Sequence, residues 1–177
     1  MHEHIERVLV TYGTANGSTP QIAGAIADVL NKAGLRAEPR LARFVASVEP
    51  YDAVVLGSGL YAGHWHRYVR RFVRRHRRAL SERPLWLFSS GPLDDSASRG
   101  DIPPTPSVRR IADQLHAREH VTFGGCLKEN AQSRGARMLV RSGKGGDFRD
   151  FPAIEQWAEH VADEILLASW QRPDRRR

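Results

Sequence analysis

A chain of 177 residues, 41% hydrophobic and 27% charged, has the make-up of one globular domain with enough material for a core. No apolar run approaches the ~20 residues that a membrane-spanning helix needs, and the stretch Met1 to Arg7 lacks the apolar segment of a secretory signal. The single cysteine, Cys126, excludes an internal disulfide framework and agrees with a cytoplasmic setting, while a net charge of +7, carried mainly by arginine, favours anionic partners.

In chain order, Val8 to Val10 is an apolar β-branched run that predicts a buried strand. It ends in a loop of small and hydroxylated residues, Thr11 to Thr19. Pro20 then opens a helix with Ile22, Ile26, Val29, Leu30 and Ala33 at helical spacing and Gly34 as its C-cap. A strand that stops at such a loop and restarts as a helix aims free backbone N–H groups and the positive end of a helix dipole at one spot. Gly13 and Gly17 allow the backbone to close around an anion there, and Thr14, Asn16, Ser18 and Thr19 supply side-chain donors. The loop contains no Lys or Arg and lacks the Gly-Lys-Ser/Thr ending of a P-loop, so a phosphomonoester held by neutral donors fits better than a triphosphate with Mg²⁺. The plainer alternative is an ordinary helix start, with Ser18-Thr19-Pro20-Gln21 as a capping box.

Leu35 to Phe44 reads as a weaker strand near a sheet edge, and Val45 to Pro50 as a turn or short helix. Ala53 to Gly57 is a second fully apolar strand. Trp65, Tyr68, Val69, Phe72, Val73 and Leu80 form a helical stripe from His64 onward, and Leu85 to Ser90 is a further strand. Gly91 to Pro106 is a loop. Val108, Ile111, Ala112 and Leu115 mark a helix, and His120 to Leu127 reads as the fifth strand, with Cys126 buried in it. Lys128 to Asp150 is a long polar, Gly-rich insert. The last helix starts near Pro152 and carries Ile154, Trp157, Val161, Ile165 and Leu166 on one face; residues 171–177 are expected to fray. Strands that are continuous apolar runs, alternating with helices, predict a three-layer α/β fold: a doubly wound five-stranded parallel sheet of order 2-1-3-4-5. In such sheets ligands bind beyond the carboxyl ends of the strands, which singles out the loops Thr11 to Thr19, Gly57 to His66 and Ser89 to Gly100.

Gly13-Thr14-Ala15-Asn16-Gly17-Ser18-Thr19 is similar to the phosphate loop of flavodoxins, written Thr-x-Thr-Gly-x-Thr, with Asn16 where a second Thr is common. The resemblance implies FMN as cofactor. In the second loop, Gly57-Ser58-Gly59-Leu60-Tyr61-Ala62 fits the Gly-x-Gly-x-x-Gly/Ala dinucleotide pattern but lacks the carboxylate that pattern places about 20 residues on. Its glycines are expected to let the backbone approach a flat ring, with Tyr61, His64, Trp65 and His66 stacking on it or edging it. Trp65 has core as its equal alternative, and His64 with His66 is not expected to hold a metal.

The segment Gly57 to His66, followed by Phe72-Val73 and a basic helix, resembles the flavodoxin-type, menaquinone-dependent protoporphyrinogen oxidases. That family carries a Gly-His-aromatic-His segment, here Gly63 to His66. Ser142-Gly143-Lys144-Gly145-Gly146-Asp147 and the helix with Trp157 match its later features. Two departures stand out: Ser90-Gly91-Pro92-Leu93-Asp94-Asp95 is not basic, and the insert is poor in aromatic and apolar residues. The resemblance implies an FMN-dependent oxidoreductase acting on an anionic molecule such as a porphyrinogen, with a quinone acceptor and contact with a membrane surface. A flavodoxin-type electron carrier, or a non-catalytic module that binds an acidic partner, are the alternatives. The expected cofactor contacts are Thr11, Gly13 to Thr19, Ser58, Gly59, Leu60, Tyr61, Ala62, Gly63, His64, Ser90, Gly91 and Pro92. No residue is singled out as catalytic, and no metal is expected. Seven arginines lie between Arg67 and Arg78 with no interleaved acid, which favours docking of an anionic redox partner or substrate over a solvated face. Nucleic acid is not expected, since the helix has no base-reading aromatics on its polar face. Nothing in the sequence bears on oligomeric state.

Overall fold

The computed structural model describes residues 6–15, 18–127, 138, 141, 143 and 145–171. The expectations placed on Asn16, Gly17, Ser142, Lys144, residues 128–137 and the end of the tail therefore lie outside the described residues. Five parallel strands form the sheet: β1 (Arg7–Gly13), β2 (Arg36–Leu41), β3 (Ala53–Tyr61), β5 (Leu85–Ser90) and β6 (Glu119–Phe123). Their spatial order is β2-β1-β3-β5-β6, which is the doubly wound 2-1-3-4-5 order once the short β4 (His64–Trp65), an antiparallel appendage of β3, is set aside.

The alternation within each central strand explains why all three are apolar throughout. Val8 and Val10 of β1, Ala53 and Val55 of β3, and Trp86 and Phe88 of β5 point to one core, shared with α1 (Thr19–Lys32) and the C-terminal helix α6 (Phe151–Trp170). Leu9, Val54, Leu56, Leu85 and Leu87 point to the other, under α2 (Arg67–Arg75), α3 (Arg77–Ser81) and α5 (Pro106–Leu115). A strand covered on both faces has no solvent side to mark with polar residues. β2 is the exception: it lies at the sheet edge, and Ala37 is its one fully buried residue. Among the described residues no helix is long and apolar enough to cross a membrane.

Five features differ from the sequence expectation. β3 continues four residues past Gly57 to Tyr61, then turns through Ala62 (φ 48°) and Gly63 (φ 76°) into β4, pairing Tyr61 with His64 and Leu60 with Trp65. Two successive positive φ values make a tight hairpin turn whose twist suits antiparallel strands. The Gly57 to His66 segment is thus strand and hairpin, and the following helix starts at Arg67 instead of His64. The fifth strand stops at Phe123; Gly124 and Gly125 break it, and Cys126–Leu127 (β7) pairs instead with Gly146–Asp147 (β8) in a small separate sheet. The loop from Gly91 contains one short helical turn, α4 (Ser96–Arg99), and the turn after β2 is a 3-10 segment at Ala42–Phe44, ahead of the expected Val45 to Pro50.

Candidate functional site

The parallel register brings the three predicted loops together. Gly13 at the end of β1 sits opposite Ser58, Ser58 opposite Ser89, and Gly59 opposite Ser90. The carboxyl ends of β1, β3 and β5 are therefore side by side at the chain reversal of the sheet, where α1 points its N-terminus.

At that N-terminus the capping-box alternative is not realised. Ser18 is the N-cap residue, yet its side chain makes no cap hydrogen bond. In the first turn of α1, Thr19 Oγ1 is buried with no hydrogen-bond partner among the described residues, and Ser90 Oγ at the end of β5 is in the same state; Thr11 Oγ1 is likewise unpartnered but lies on the α2 face of β1, with Leu9 and Gly13. A buried hydroxyl left unpaired costs on the order of 1–3 kcal/mol, so Thr19 and Ser90, both on the α1 face at the carboxyl end of the sheet, point to a polar ligand that completes them.

The glycines serve other ends than those expected of them. A Cβ at Gly13 would collide with Val69 of α2, and one at Gly57 would overlap the ring of Phe88. These two are bare because protein packs against them, and for Gly57, buried within β3 under the Phe88 ring, this corrects the expectation that it lets a ring approach. Gly59 faces Tyr61, whose phenol oxygen lies 2.8 Å from where a Cβ would stand, and Gly91 faces Leu60.

The hairpin is held from three sides. Ser58 Oγ donates to the Gly59 carbonyl (2.8 Å) and accepts the His66 N–H (2.9 Å). Thr105, the N-cap of α5, donates its hydroxyl to the Gly63 carbonyl at 2.7 Å. Tyr61 Oη accepts the Ala15 N–H at 2.7 Å, so the second loop reaches into the first. Trp65 is 1% exposed and its indole N–H donates to Ser89 Oγ at 2.8 Å, so it is core and takes no part in ring stacking. Ser89 Oγ in turn lies 2.8 Å from His120 Nε2. Burial pushes His120 down to about 4, so the ring is neutral and shares one hydrogen bond with Ser89 through Nε2. His64 is exposed on the outer face of the hairpin, while Leu60, Ala62 and Pro92 line its flanks and the start of the third loop. Pro92 accepts the Gly125 N–H through its carbonyl at 2.8 Å, anchoring that loop to β7.

His66 caps α2 by accepting the Tyr68 N–H at Nδ1 (3.4 Å). Its ring meets Tyr61 edge-on at 5.6 Å and Tyr68 at 5.1 Å. Burial, then the charges of Arg67, Arg70 and Arg43, hold His66 below its usual range.

Two arginines from outside the three expected loops enter this region. Arg149 holds Asp147 through a two-pronged contact (Nε to Oδ1 2.8 Å, Nη2 to Oδ2 2.7 Å) and donates to Gln21 in the first turn of α1. That pair pulls Asp147 down to about 2 and sets a positive group beside a helix start whose own loop has none. The Asp-x-Arg spacing, two apart in extended chain, was the available clue. Arg43 arrives from the 3-10 segment and lies over Phe44 (4.6 Å) and Tyr68 (5.8 Å). Residues 147–152 also wall a cleft of about 450 Å³ against Asp95 and Ser98.

Residues 9–142 match the flavodoxin domain family. The chain belongs to that family. The match spans the sheet through β7 and indicates FMN as the cofactor, and the unpartnered hydroxyls and uncapped helix start described above are a donor set that fits its phosphate. An 85-residue segment is 29% identical to protoporphyrinogen IX dehydrogenase [quinone] of Escherichia coli strain K12, so the likeness spans about half, 47%, of this chain and 47% of that relative. Among solved structures, an archaeal flavodoxin superposes with a TM-score of 0.58 at 9% identity, covering 90% of this chain and 99% of that one. The two-electron reduced flavodoxin of Megasphaera elsdenii gives 0.60 at 15% identity, covering 88% and 98%. At such identities these two show the shared fold.

Proposed function

We propose that the protein is an FMN-dependent oxidoreductase that withdraws six hydrogens from a carboxylated porphyrinogen, two at a time, and passes them to three quinones, giving one porphyrin and three quinols. The observation that carries the substrate half of this reading is the 85-residue likeness to a quinone-linked protoporphyrinogen dehydrogenase. The cofactor half is supported by the hydroxyl of Thr19 and by the uncapped N-terminus of α1, which would hold the FMN phosphate together with the loop from Thr14 to Ser18. The Arg149–Asp147 pair, tied to Gln21, would brace the first turn of α1 behind the loop.

When bound, FMN supplies the ring that accepts and returns hydrogen. The chain's own work is then to place that ring and its partner. The hairpin of Tyr61 to His64 and the loop of Ser90 to Pro92 would flank it, and the Ser58 and Thr105 hydrogen bonds keep the hairpin from swinging away. No nucleophile or paired-carboxylate machinery is required for such a reaction.

The test is direct. Purified protein loaded with FMN should oxidise protoporphyrinogen anaerobically with a menaquinone analogue, with flavin reduction on the porphyrinogen side and reoxidation on the quinone side. Reaction only with small acidic redox proteins would favour an electron carrier. Absence of FMN binding at tens of micromolar would reject the flavoprotein reading itself.

A further inference from the structure

We infer that Arg43, Arg67 and Arg70, gathered around Tyr68, form a carboxylate-binding subsite beside the cofactor loops, one that receives the acidic side chains of the substrate. The inference rests on the proposal that the substrate is a flat carboxylated tetrapyrrole, and it adds the residues that would select it.

Three observations support it. First, these guanidiniums come from two separate segments, the 3-10 turn after β2 and the first turn of α2, yet Arg43 and Arg67 both lie against the Tyr68 ring, with Arg70 three residues along the helix from Arg67. Among the described residues none of the three has a carboxylate within ion-pair distance, whereas Arg7, Arg40, Arg78, Arg83, Arg99 and Arg149 all do. Like charges brought together without a counter-ion repel, and an anionic ligand removes that cost.

Second, two of the guanidiniums are already oriented. Arg67 lies 5.0 Å from the Tyr68 ring centroid and donates Nη2 to Tyr68 Oη at 3.3 Å; Arg43 lies between the Phe44 and Tyr68 rings. With one N–H group given to the phenol, the remaining guanidinium N–H groups of Arg67 are left for an in-plane, two-pronged acceptor, which is what a carboxylate offers. Ordering it in advance lowers the entropy lost on binding.

Third, the patch is continuous with the proposed cofactor site. Ala15, Tyr61, His66 and Tyr68 form an unbroken series, one hydrogen bond followed by ring contacts of 5.6 and 5.1 Å. At its outer end Phe44 is 66% exposed beside Arg43. An apolar lip next to fixed positive charge suits a large conjugated ring with acidic arms better than a small inorganic anion. The remaining arginines, Arg71, Arg74, Arg75 and Arg77, continue along α2 and α3 past these rings and serve as internal controls.

The experiment titrates FMN-loaded protein with protoporphyrin IX and with its dimethyl ester, which keeps the ring and removes both charges. Wild type should prefer the diacid by about tenfold, and salt should erode that preference. Arg43→Gln with Arg67→Gln should abolish the preference, Arg74→Gln with Arg77→Gln should keep it, and FMN stoichiometry should be equal in all three proteins. No preference in wild type, including no binding of either form, overturns the subsite, as does a preference that survives in the Arg43/Arg67 variant. If that variant keeps the preference but no longer sediments with phosphatidylglycerol vesicles, the patch is a lipid contact and the subsite is wrong. Because the readout is binding, the two ideas separate. A diacid preference lost in the variant supports the subsite even where no porphyrinogen is oxidised, and oxidation at equal subsaturating rates in wild type and variant keeps the reaction while removing the subsite.

Discussion

The phenol oxygen of Tyr61 accepts the backbone N–H of Ala15 at 2.7 Å, tying the tip of the β3–β4 hairpin to the loop that leads into α1. The donor it takes belongs to the loop expected to receive the FMN phosphate, so the hydroxyl and the ligand compete for it. Ala15 is exposed, and water can replace the phenol at little cost. Tyr61→Phe should therefore bind FMN as tightly as wild type or tighter, by up to about 1 kcal/mol. Tyr61→Ala should bind more weakly and restore part of the flavin fluorescence. A quench that is identical in the alanine variant would show that this ring does not touch the flavin.

Thr19 offers a cleaner separation of ligand binding from folding. Its hydroxyl is buried without a partner, so replacing it by a methyl group relieves the unliganded protein of an unsatisfied polar atom. Thr19→Val should leave the thermal midpoint of the apoprotein unchanged or raised, while weakening FMN binding by about 1–2 kcal/mol. A lower apoprotein midpoint with unaltered FMN affinity would make the hydroxyl a structural one.

Trp65 should behave as core. Buried, and bonded through its indole N–H to Ser89, it fills the space under α2. Trp65→Phe should cost about 1–3 kcal/mol in urea unfolding, from lost volume and a lost hydrogen bond, and leave the bound-flavin spectrum in place. A flavin spectrum that shifts with no loss of stability would contradict the assignment.

His120 sets a pH dependence. In the folded chain burial lowers it to about 4, against an ordinary value near 6.5, so between these limits the unfolded chain binds a proton that the folded one refuses. Its contribution is therefore complete above about pH 6.5 and is lost as the pH falls towards 4. Allowing for the part of the ring that water reaches, the loss is on the order of 2 kcal/mol. His120→Gln should flatten the stability profile across this window, as measured by denaturant unfolding at pH 7.0, 5.5 and 4.5. A parallel decline in both proteins would place the titrating group elsewhere.

Much of the fold was legible locally. Val8 to Val10, Ala53 to Leu56 and Leu85 to Phe88 are continuous apolar runs because each is covered on both faces, and Ile22, Ile26 and Leu30 mark the buried side of α1 because an α-helix returns to the same face every three or four residues. Those periods decide element type, and strand–helix alternation then leaves few topologies, of which the observed order is one. The Gly13 to Thr19 composition likewise marks the turn from β1 into α1, the loop expected to receive the FMN phosphate.

Tertiary structure decided which side chains meet there. Trp65 fits a helical stripe, yet it lies in a two-residue strand, because Ala62 and Gly63 turn the chain back onto β3. Gly57 looked like an opening for a ligand and is instead occupied by Phe88, a neighbour 31 positions later in sequence that only strand pairing brings alongside. Arg149 reaches Gln21 across 128 residues, and Arg43 meets Tyr68 from another segment. Periodicity records how each element presents itself to a core or to water. It carries no record of which distant element is packed against it, and the site is made from such distant pairs.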